Sequence, residues 1–207
     1  MKSVHIHILL FFVISTAFAQ LDKSVAQIGF TAKMNYNYET QNTHSQFGME
    51  FLAPVGEKIN LHYSFSMGTN ETQKYAAYTS LGMYVGGWVI DRTTRNGATS
   101  GDCLGLFLII TLLMPEGVSA HIPLNQAKTL YITPYLKPFG MDYNLYNDKR
   151  WNYCASAGTR IGFFASKNVM IAPEIGAKYT FQHPSGTGGR TNIFAGIGVW
   201  LQMKGED

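Results

Sequence analysis

Ile59-Asn60-Leu61-His62-Tyr63-Ser64-Phe65-Ser66-Met67 alternates large apolar with polar residues without a break. A strand sends successive side chains to opposite faces, so this run has one apolar and one polar face. The same period of two returns near the C-terminus, where Ile193, Ala195, Ile197, Val199, Leu201 and Met203 alternate with Asn192, Phe194, Gly196, Gly198, Trp200 and Gln202. Eight stretches carry it: about 26–39, 44–53, 57–68, 75–90, 128–139, 152–165, 168–181 and 191–203. Most exceed the 9–11 residues that a tilted membrane-spanning strand needs. Short links (54–56, 166–167) alternate with longer polar ones (40–43, 69–74, 140–151, 182–190). The pattern predicts an all-β fold, a closed antiparallel up-and-down barrel of about eight strands with its apolar face in lipid.

The first 19 residues read as a signal peptide. Lys2 is the positive start, Ile6 to Ile14 is apolar apart from His7, and Ala17-Phe18-Ala19 is a small-x-small cleavage site. The apolar run is shorter than the roughly 20 residues of a spanning helix. The domain is then 20–207, 188 residues (207 − 19). Without Lys2 it carries 15 basic and 13 acidic residues, a balance that implies no nucleic-acid partner. Charged residues are 14% of the chain, against about 25% in ordinary soluble domains. Two cysteines, Cys103 and Cys154, fall at opposite ends of the expected barrel. That separates them by about 25 Å, beyond the roughly 7 Å a disulfide spans, so both are expected free.

With apolar residues outward, parity turns Lys33, Glu50, His62, Tyr84, Lys137, Arg160, Glu174 and Lys178 into the lumen. Eight-stranded barrels are narrow enough for side chains to fill, and buried charges need partners. Lys33, Glu50, His62, Arg160, Glu174 and Lys178 are therefore expected to form a charge network that plugs the lumen. Aromatic residues near the strand ends suggest two girdles, with Tyr36, Tyr38, Tyr75, Tyr78 and Trp151 among those at the outer end and Phe51, Trp88, Phe163 and Trp200 at the inner end. Pro134 and Pro173, inside expected strands, should mark bulges or boundaries.

One link is far longer than a turn, the insert at about 91–127 between the fourth and fifth strands. Its apolar run Leu104 to Met114 reads as a short helix, with Asp102 as a cap and Pro115 as a stop. A ninth strand is the competing reading, because β-branched Ile109, Ile110 and Thr111 lie at its centre. The insert is expected to contact the periplasm or a partner. No nucleotide-binding glycine loop, zinc spacing or calcium loop is present, so no cofactor and no metal is expected.

With these strands the chain resembles the small eight-stranded outer-membrane barrels of diderm bacteria. Gly196, Val199 and Leu201 match the spacing of that class's assembly signal, with Phe194 at its polar position. The Tyr- and Asn-rich strands and the basic tail residue look like Bacteroidetes-type barrels. The resemblance implies an outer-membrane location with periplasmic termini, and outer-membrane lipid and the barrel-assembly machinery as partners. It implies a structural or surface-binding role. His183-Pro184-Ser185 resembles the His-x-Ser pair of lipid A deacylases, in which the His activates the Ser for acyl transfer. That makes a lipid-modifying hydrolase the alternative, although Gly186-Thr187 stands where that family has Asn-Ala. A third reading is a secreted, soluble, lipocalin-like barrel with its apolar faces inward.

Overall fold

The computed structural model describes residues 26–55, 58–69, 75–95, 100–144, 151–166, 168–181 and 189–203. Its strands are β1 (Ala26–Asn37), β2 (Thr43–Pro54), β3 (Ile59–Thr69), β4 (Tyr75–Ser80), β5 (Gly117–Ala120), β6 (Ile122–Pro123), β7 (Leu130–Asn144), β8 (Trp151–Phe164), β9 (Val169–Thr180) and β10 (Arg190–Met203). Helices α1 (Leu81–Arg95) and α2 (Ser100–Leu113) lie between β4 and β5. The ladder runs β2-β1-β10-β9-β8-β7-β4-β3, and β3 pairs β2 to close the ring. All pairings are antiparallel, so the expected closed barrel is what forms.

Ten strands make eight wall positions because one position is composite. Ser80 pairs Gly140 and β4 covers the outer part of β3 and β7, while β5 and β6 cover the inner part of the same two strands. The fourth strand is thus 75–80 followed by 117–123, not 75–90. The chain leaves the wall after Ser80 and re-enters at Gly117. Ser80 Oγ accepts the Met83 N–H at 3.2 Å, capping α1 and ending the strand. The insert accordingly departs from mid-wall rather than from an inner turn, and it holds two helices where one was expected. Asp102 lies inside α2, two residues past its start, not at its cap position.

The prolines also behave differently from expectation. Pro134 pairs Thr159 and Pro173 pairs Ile197 without any shift of register. Each lies opposite a stretch where pairs are missing from one neighbouring ladder, so neither missing N–H is called on. The β7–β8 shift falls between Lys137 and Gly140, around Pro138.

Large apolar side chains stand exposed all round the outside. Phe30, Met34, Phe47, Phe65, Leu136, Ile161, Ile175, Ile197 and Leu201 range from 42% to 63% exposed. The buried set inside includes Lys137, Arg160, Glu50, Glu174 and Lys178. This is the reverse of a water-soluble barrel and the opposite of the lipocalin-like arrangement.

Candidate functional site

The lumen is the candidate site, and it is built in layers along the strands. At mid-height, Glu50 on β2 accepts from Lys33 Nζ at 3.1 Å, Lys137 Nζ at 3.0 Å and the Arg160 guanidinium, with His62 Nδ1 at 3.6 Å. Glu174 on β9 accepts from Arg160 Nε at 3.0 Å and the Tyr135 hydroxyl at 3.3 Å, and its other oxygen pairs with the Lys33 ammonium at 3.0 Å. Arg160 is sandwiched by rings, its guanidinium carbon 4.7 Å from the Tyr135 centroid and 4.5 Å from that of Trp200. Two carboxylates thus hold three cations from three strands. Each cation is shared or has a second anion, as burial of charge demands.

Lys33, Glu50, His62, Arg160 and Glu174 come together here. Lys178 stands one layer further out. It faces Asp142 at 3.9 Å and its ammonium lies 3.6 Å over the Tyr78 ring. Sequence reasoning missed two acids. Glu116, on the return from α2, reaches the lumen to accept from the Ser64 hydroxyl and pairs Lys137 at 3.5 Å. Asp142 turns inward because the β7 irregularity changes parity beyond Lys137.

Below the charges, an apolar cluster of Leu52, Met170, Ala172 and Trp200, with Phe164 against it, closes the inner end. Trp200 is fully buried, not in an inner girdle as its end-of-strand position suggested. Glycines make its space: a Cβ at Gly29 would lie 2.2 Å from its Cε3, and one at Gly198 2.8 Å from its Nε1. Tyr78, expected in the outer girdle, is also buried inside. Tyr36, Tyr38 and Tyr75 stay exposed at the outer end.

Above the charges, a cavity of about 40 Å³ is lined by Lys33, Asn35, Tyr78, Glu116, Lys137 and Lys178, among others. That is room for roughly three waters. Asn37 Nδ2 donates to Asn192 Oδ1 at 3.1 Å between the adjacent strands β1 and β10 near their outer end. No group of metal-ligating side chains occurs among the described residues. Cys103 and Cys154 are free and buried, but not at opposite ends of the barrel: Cys103 lies on α2, outside the wall, and Cys154 in the lumen. Tyr84, expected in the lumen, is instead on α1 with its ring 4.4 Å from that of Trp151. His183 and Ser185 lie outside the described residues.

No family model matches the chain, and no curated protein matches it. Among solved structures, it is similar to Neisserial surface protein A (TM-score 0.50, 8% identity, covering 86% of this chain and 96% of that one). The N-terminal β-barrel domain of Pseudomonas aeruginosa OprF matches with TM-score 0.43 and 10% identity over 84% of this chain and 97% of that one. A de novo designed transmembrane β-barrel matches with TM-score 0.42 and 12% identity over 88% and 98%. At 8% identity the likeness to the Neisserial protein is one of fold alone: a small closed barrel.

Proposed function

We propose that the protein is an integral outer-membrane barrel with a sealed lumen, serving as a structural or surface-binding element rather than as a pore or an enzyme. The carrying observation is the filling of the interior. An apolar plug around Trp200 and a paired ionic knot occupy successive layers. An ion crossing would have to displace both. The exposed apolar belt outside supports a lipid surround. In this reading both ends of the chain are periplasmic, and outer-membrane lipid and the assembly machinery are the partners during insertion.

Reconstitution into planar bilayers tests the seal. The expected result is a silent membrane from protein that shifts on SDS gels upon boiling and shows a β spectrum. Stable open-channel steps from that same material would overturn the reading.

A further inference from the structure

The α1–α2 hairpin does not hang in solution from a barrel end. It leaves the wall at mid-height, on the outer surface. Tyr63, Ala77, Thr79 and Met141 point away from the lumen by register, yet all four are buried. The hairpin stands over them: α1 packs on β4 and β7, and the Tyr63 hydroxyl donates to the Leu112 carbonyl at 2.8 Å. That bond occupies one of the carbonyls a helix C-terminus leaves open, an economy needed where water is absent.

The hairpin also has a direction. Trp151 pairs Tyr143, which pairs Ala77, three residues before Ser80 and so about 10 Å outward along the strand. Tyr84, one turn into α1, touches Trp151. On the other side of the exit, Val118 and Leu136 are 44% and 53% exposed. So α1 folds back toward the end opposite Ala26 and Met203.

Its own surface fits lipid. Gly82 and Gly86 bring the helices together, since a Cβ would meet the Met114 carbonyl at 2.5 Å or the Phe107 ring at 2.7 Å. This is the small-x3-small contact of helices in bilayers. Facing away from the barrel, Leu104, Leu108, Ile109 and Leu113 are 51–58% exposed. The lengths agree as well. Residues 81–90 span about 15 Å as helix, and half of a 25 Å apolar band is about 12 Å. The first charges, Asp91, Arg92 and Arg95, follow at that point, with Arg95 paired to Asp91 at 2.9 Å.

We infer that the hairpin is embedded among the acyl chains of the leaflet remote from Ala26 and Met203, crossing half the bilayer and setting its Asp91–Arg95 turn at the headgroups. The inference rests on the barrel's belt lying in a bilayer. Refolding the full chain into bilayers with brominated acyl chains tests it. Trp151→Phe is compared with the Trp88→Phe/Trp151→Phe double variant, the difference isolating Trp88. Trp88 should lose more emission to bromines near the headgroups than to bromines near the chain ends, and little to aqueous iodide. Quenching by iodide alone, or shielding from both as a second copy would produce, overturns the inference. Ile197→Trp in the double variant reports the belt itself. If Ile197→Trp is quenched by bromine and Trp88 is not, the hairpin assignment alone falls; if neither is quenched, the membrane reading falls with it. In a Cys103→Ser/Cys154→Ser background within sealed vesicles, an impermeant maleimide should reach Arg95→Cys from the same side as Tyr38→Cys. Labelling from the side of Lys58→Cys would overturn the leaflet.

Discussion

Glu50 is the residue on which the interior turns, because it accepts from three cations rooted on three different strands. Glu50→Gln keeps the shape and leaves Lys33, Lys137 and Arg160 sharing Glu174 and Glu116. Breaking a buried ion pair costs about 3–5 kcal/mol, so the variant's boiling-dependent gel shift should appear at a clearly lower temperature. Gly29→Leu acts differently, by driving a side chain into the Trp200 indole. Overpacking of this kind costs about 1–3 kcal/mol, read as a lower urea midpoint in lipid vesicles with no change in the ionic knot. The knot was largely legible because parity within an unbroken strand is strict, and Lys33, Glu50, His62, Arg160 and Glu174 all sit in such strands. Glu116 and Asp142 were not, since one follows a helix and the other follows a register shift. Trp200 was misplaced because its volume is accommodated by Gly29 on the adjacent strand, a pairing that no single stretch of chain displays.

At the scale of elements, the seven intact wall strands declared themselves by alternation, and the composite one did not. Residues 81–90 alternate apolar with glycine and aromatic positions much as a strand would, yet Gly82 and Gly86 are four apart and face α2. A period of two and an i, i+4 spacing coexist in this stretch, and short apolar runs do not separate them. What decides is the Ser80 cap together with the partner helix. Gly86→Leu should splay the hairpin and leave the ring intact. Cys103, buried with its Sγ 3.3 Å from the Thr93 hydroxyl, would then react faster with a membrane-permeant maleimide, while the gel shift on boiling stays as it was. Loss of both together would mean that the hairpin is integral to the wall.

Across the whole molecule, the wall is complete without its excursion. Ser80 pairs at the level of Ser64 and Gly117 pairs His62, so one residue suffices to bridge them on β3. Glu116 already fills that place, with its N–H donating to the His62 carbonyl at 2.7 Å. Deleting 81–115 should therefore yield a barrel that still inserts and still shifts on boiling. The composite strand also orders events in time. The outer half of the rung joins Thr69 to Tyr75 across six positions, whereas the inner half joins His62 to Gly117 across 55. Loop-closure entropy makes the second junction about 2 kcal/mol harder to form. The outer half of this rung therefore zips onto β3 first, whereas its inner half zips onto β7 first, Ser119 and Tyr135 being 16 positions apart and Ser80 and Gly140 60, so the two halves of one strand are recruited from opposite sides.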